Sequence, residues 1–252
     1  MYSSFRIVIA STWMRRLLLF PGIAILLLLA NPVDLFSYES VDVKDGGLLY
    51  GKIRFKGAPP KNEIHQTKLN QDYCGDSIED ETYLVSPENH GLQNVVVSIS
   101  GITQGKKRAP SILRIQNSHC RFAPHVQAGM AGDSYDITNK DPILHNTHLK
   151  MDDATLINVV LPPIRKEIKK IIPQPGIIHL QCDVHTFMEG WVVIIDNPYF
   201  AVTDQKGDFK ISDIPPGNYS ITLWHEGLPV KTEDVTIYPN KKTELSVALG
   251  LR

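Results

Sequence analysis

Between Cys182 and Met188 the chain sets a thiol, an imidazole and a thioether into the short run CDVHTFM, with His185 at its centre. Sulfur donors of this softness favour copper, and a His2Cys plane with a long axial Met is how proteins hold a copper ion that exchanges single electrons. The loop supplies one histidine. The second is His145, in DPILHNTH, upstream of the Pro- and Lys-rich connection 150–175. These residues set the expectation of one copper ion held by His145, Cys182, His185 and Met188.

A metal that changes charge quickly needs ligands that barely move, so the elements around the loop matter. GIIHLQ before it and EGWVVII after it read as β-strands, apolar runs bounded by turn residues. Cys182 ends the first strand, and two-residue steps to His185 and Met188 curl the loop back over the ion. His145 and Thr147 share one face of a neighbouring strand, while Asn146 and His148 take the other. Asn146 is therefore expected to point away from the ion and pin the ligand loop by an outer hydrogen bond. Binding requires a Cys182 thiolate and neutral imidazoles, so affinity is expected to fall in acid.

The chain has 252 residues, 42% of them apolar, enough for one large core or two modest ones. A net charge of −1 gives no suggestion of a nucleic-acid partner, and none is expected. Scattered glycines and prolines, 17 of each, separate short Val/Ile runs and predict an all-β protein. Residues 1–37 differ: Arg6, Arg15 and Arg16 precede the uncharged run Leu17 to Ala30. That is shorter than the roughly 20 residues of a membrane span and reads as a signal peptide or a short retained anchor. The folded part is thus expected to be periplasmic or otherwise exported, where paired cysteines oxidise. Cys74 and Cys120 could pair, leaving Cys182 with a thiol that metal ligation would explain.

Along the chain, residues 44–105 hold the strands GGLLYGKIRF and LQNVVVSISGI, separated by a polar stretch, 61–88, read as a loop fastened at Cys74. Residues 109–197 carry the ligands. Residues 198–252 return to hairpins, with turns at DQKG and PPGN and alternation at Tyr219, Ile221 and Leu223. IRKEIKKII is the best helix candidate, boxed in by Pro162, Pro163 and Pro173.

The segments AGD (131–133), NKDPILHNTH (139–148) and CDVHTFMEGWVVI (182–194) give residues 109–197 a resemblance to a cupredoxin of the plastocyanin/amicyanin kind. The short Cys-x-x-His-x-x-Met loop is similar to that of amicyanin. The resemblance implies a Greek-key β-barrel or sandwich and a type 1 copper site at His145, Cys182, His185 and Met188. It departs at Thr186, where such loops often carry proline. GGLLYGKIRFKGAPP with QNVVVSISG, and then FAVTDQKGDFKISDIPPGNYSITLWHE, look like two parts of a carboxypeptidase-regulatory-like (transthyretin-like) β-sandwich. That likeness implies a copper domain inserted into, or adjoining, a non-catalytic scaffold.

The remaining histidines admit quieter readings. His148 is expected at the surface, His125 and His179 as satisfied side chains, and His225 with Glu226 at a domain interface. Arg165, Lys166, Lys169 and Lys170 could steer an acidic redox partner or form a solvated loop. A multicopper oxidase or nitrite reductase would need further His clusters such as H-C-H, which the sequence lacks, so no catalytic residue is assigned. The expected role is an electron carrier between periplasmic partners such as a cytochrome or dehydrogenase. A copper chaperone or sensor, and a metal-free scaffold, stand as alternatives.

Overall fold

The computed structural model describes residues 38–108, 111–163, 168–172 and 174–251. The expected leader, residues 1–37, lies outside them, as do Arg165 and Lys166. Contacts divide the chain into units 1–35 and 36–252, and the described residues all belong to the second. Its fold is all-β: twenty strands and one four-residue helix, Gln71–Cys74, among the described residues.

Two pairs of sheets enclose two cores. In the first pair, a five-stranded sheet runs Ala154–Leu161, His145–Met151, Gly176–Gln181, Glu189–Ile195, Val126–Met130. Opposite it lies a four-stranded sheet, Ile168–Ile171, Ser134–Asn139, Ile112–Ser118, Arg121–Ala123. Ile115, Phe122, Tyr135, Ile137, Leu149, Ile178, Leu180 and Val192 fill the space between. In the second pair, Phe200–Val202, Val96–Ser100, Gly217–His225 and Leu228–Ile237 face Asp208–Ile214, Gly47–Phe55 and Lys242–Leu249. Leu49, Ile53, Val97, Ile99, Phe209, Ile221 and Leu223 form that core.

The valine-rich strands explain how the two sandwiches join. A strand alternates its side chains between two faces, so an unbroken apolar run implies burial on both. Val95 and Val97 enter the second core while Val96 points the other way, and all three are fully buried. In WVVII, Val192 and Ile194 enter the first core, and Val193 and Ile195 turn outward to meet Val96, Val126 and Trp224. The strand that follows the ligand loop is thereby clamped from both sides.

Two stretches carry more order than their composition suggests. Residues 150–175 hold the strands Ala154–Leu161 and Ile168–Ile171. The described part of IRKEIKKII is strand because Ile168 and Ile171 pair with Ile137 and Ser134. Flanking prolines leave too few residues for a helix to recover its nucleation cost. Within 61–88, Ile64–Gln66 and Ser77–Glu79 form a small hairpin around the helical turn Gln71–Cys74.

Candidate metal centre

Cys182 follows directly on the strand Gly176–Gln181, and two backbone hydrogen bonds close its loop. The Cys182 N–H donates to the Met188 carbonyl at 3.3 Å, and the Met188 N–H donates to the His185 carbonyl at 2.8 Å. His145 opens the next strand of the same sheet. These elements bring three donor atoms together. Cys182 Sγ lies 3.9 Å from His145 Nδ1 and 4.0 Å from His185 Nδ1, and the two nitrogens are 3.1 Å apart. Met188 is buried at the loop's end, in the same apolar cluster as Cys182.

The protonation of each ring follows from its other nitrogen. His145 Nε2 lies 2.8 Å from the Asp141 carboxylate, and His185 Nε2 lies 3.0 Å from Asn70 Oδ1. Both partners are acceptors, so both Nε2 atoms carry the hydrogen. A neutral imidazole has only one, which leaves both Nδ1 lone pairs bare. Burial pushes both pKa values below the ordinary histidine value, and for His185 the neighbouring His145 adds to the effect. Two bare nitrogens at 3.1 Å repel each other, with a sulfur beside them, unless a cation lies between. The point equidistant from the three atoms is about 2.1 Å from each, close to the roughly 2.0–2.3 Å at which imidazole and thiolate bind zinc, another first-row metal. The donor set therefore fits a soft transition-metal ion.

Outer contacts hold the set rigid. Asp141, 1% exposed, accepts the Tyr73 hydroxyl and the His119 N–H on Oδ1 and the Cys120 N–H on Oδ2, besides facing His145. Burial opposes its charge, but these donors outweigh burial and hold its pKa below the usual carboxylate range. Asn146 Oδ1 accepts the Asp183 N–H, and its amide donates to the Asp183 carboxylate at 2.8 Å, tying the ligand strand to the loop. The N–H groups of Asn146 and His185 point at the Cys182 sulfur from 3.5 and 3.4 Å.

The other sulfurs and histidines lie elsewhere. Cys74 and Cys120 form a disulfide, so Cys120 offers no ligand to the nearby Asp141 and His145. His148 bonds to Asp183 and Thr155, and His179 stacks on Trp191. His125 Nε2 lies 2.6 Å from Glu226 Oε1, while Trp191 Nε1 donates to Oε2 at 2.8 Å, so Glu226 spans the two sandwiches. His225 is buried against Tyr83. Sequence reasoning missed Asn70, Tyr73 and Asp141. Asp141 could have been suspected from its place four residues before His145, whereas Asn70 and Tyr73 are signalled only by their closeness to Cys74.

The family model of polysaccharide lyase family 4, domain II, matches residues 190–245, from the strand after the ligand loop into the second sandwich. No curated protein matches the chain. Among solved structures, the chain is similar to a reduced Cu(I) amicyanin variant, at 17% identity over 39% of this chain and 98% of that one, with a TM-score of 0.31. A purple cupredoxin from Nitrosopumilus maritimus matches at 18% identity over 33% and 99%, TM-score 0.29. A copper-containing nitrite reductase from Thermus scotoductus SA-01 matches at 19% identity over 36% of this chain, TM-score 0.30. The match spans only 24% of that reductase.

Proposed function

We propose that this protein binds one copper ion in a type 1 site and carries single electrons between exported redox partners. The observation that supports the reading is the convergence of Cys182 Sγ and two bare Nδ1 atoms on one buried point, with each Nε2 hydrogen already committed elsewhere. His145 and His185 would supply the nitrogens, Cys182 the thiolate and Met188 a thioether. Copper held by such a set supplies a one-electron couple.

The chain's own residues do the rest. Asp141 and Asn70 fix which nitrogen of each imidazole is free, so neither ring has to turn or lose a proton to bind. The two N–H groups aimed at Cys182 stabilise negative charge on sulfur and tune the potential. Burial of all four ligand residues, none more than 2% exposed, keeps water from the ion. The sandwich built from 44–105 and 198–252 we read as a non-catalytic, carboxypeptidase-regulatory-like scaffold. Its partners would be a cytochrome or dehydrogenase in the periplasm, reached by a chain that residues 1–37 export or anchor.

Titration with Cu(II), followed by visible absorption and electron paramagnetic resonance, tests this. One equivalent should give an intense blue or purple, reversibly reducible species, and Cys182→Ser should abolish the colour. The sealed ligand set also suits a second reading, a copper-holding chaperone or sensor. A tight but colourless complex would favour that, and no uptake would leave only a scaffold.

A further inference from the structure

Residues 61–80 precede the ligand-bearing segment in the chain, yet they reach His185 directly and His145 through Asp141. Asn70 Oδ1 faces His185 Nε2 at 3.0 Å, and the Tyr73 hydroxyl donates to Asp141, which holds His145. Cys74, in the same helical turn, is bonded to Cys120, whose own N–H also donates to Asp141. One turn of backbone therefore carries a contact to the His185 ring, a contact to the carboxylate that holds His145, and a covalent tether.

The side chain of Asn70 is diverted from its ordinary local use. An Asn just before a helix commonly turns its oxygen onto the helix's first free N–H groups. Here it makes no such bond, sits at φ 58°, a left-handed conformation Asn tolerates better than most residues, and reaches His185 instead. The remaining ties sit at its two ends, where Asn62 bonds to the Tyr83 backbone and Arg121 donates to the Glu79 carbonyl. Thr67 and Ile78 are its buried residues, while Ile64 and Leu69 are 63% and 53% exposed. A segment with so few buried apolar contacts opens at low cost unless it is tied. Two clefts are lined jointly by this stretch and the ligand loop, one reaching Met188 and the other His185.

We infer that residues 61–80 form a strap over the metal site, that Asn70 and Tyr73 are positioning residues for the two imidazoles, and that metal exchange requires the strap to lift against the Cys74–Cys120 tether. This builds on the copper reading, but its first test needs no metal. Cys182 is the protein's free thiol, buried at 2% exposure, so its alkylation by a maleimide in the metal-free full chain reports opening. The rate should rise at least about ten-fold in Asn70→Ala/Tyr73→Phe and in Cys74→Ala/Cys120→Ala, each checked for native far-UV circular dichroism. Loss of copper to a chelator should accelerate alongside. For positioning, Asn70→Ala should shift the Cu(II) resonance spectrum, and Asn70→Asp, which keeps an oxygen facing Nε2, should restore it. Unchanged alkylation in a folded Asn70→Ala/Tyr73→Phe protein overturns the strap, even if the tether variant fails to fold. Failure to take up copper with accelerated alkylation would instead refute the copper reading and leave the strap standing.

Discussion

His225 lies against the ring of Tyr83 at 1% exposure, with its Nδ1 accepting the Gly227 N–H at 3.2 Å. Burial drives its pKa down to about 4. The unfolded chain, with His near 6.5, then binds more protons than the folded one between those two values. Stability from this residue is whole above pH 6.5 and is lost as pH falls toward 4, by about 3 kcal/mol at most. His225→Gln should flatten that slope in urea titrations at stepped pH. His125 is distinct: burial lowers its pKa, but Glu226 and Glu81 outweigh burial and raise it. Its contribution is full below 6.5 and fades as pH rises through the raised value, outside the His225 window. Cys182, His185 and Met188 could be read from the sequence because one loop supplies all three at fixed spacing. Asn70 and Tyr73 could not, since their partners lie 115 and 68 residues away and only tertiary folding brings them close.

Among the elements, the strand Gly47–Phe55 pairs in parallel with Lys242–Leu249, with Gly51 opposite Leu245. A Cβ on Gly51 would sit 1.8 Å from the Leu245 carbonyl oxygen, a backbone atom that cannot swing aside. A glycine inside a strand marks such a close approach. Gly51→Ala should cost about 3 kcal/mol or more in urea unfolding, the loss falling on the second sandwich. Apolar runs bounded by turn residues identified this strand and LQNVVVSISGI, because each has a face turned to a core. They did not identify Ala154–Leu161 or Ile168–Ile171. Both are outermost strands of their sheets, and their residues are largely exposed, so lysine and polar residues are tolerated and the apolar signal fades.

At the scale of the whole molecule, the sandwiches are joined by an apolar layer, Val96, Val126, Val193, Ile195 and Trp224, and by Glu226, which takes hydrogen bonds from Trp191 and His125. Removing a buried carboxylate leaves both donors unpaired, which costs about 3–5 kcal/mol where the group is fully enclosed. Glu226 is 7% exposed, so Glu226→Ala should approach that range. Tryptophan fluorescence during urea unfolding should then resolve two transitions where the parent shows one. An interface was expected for His225 and Glu226 together; Glu226 bridges the sandwiches, whereas His225 lies against Tyr83. Which histidine Glu226 would meet was not foreseeable, because that depends on how two separate cores are stacked.

The parallel pairing of Gly47–Phe55 with Lys242–Leu249 has a further bearing on how the protein is made. During synthesis, the earlier strand emerges long before its partner and must wait while residues 109–197 pass. That segment's own pairings are nearer in sequence, so it can collapse first. Distant contacts form slowly because closing a long loop costs entropy before any reward arrives. The waiting strand is apolar on one face and unpartnered in that interval, which makes the nascent chain a natural client for a holdase chaperone, and makes the inner module the part that matures first.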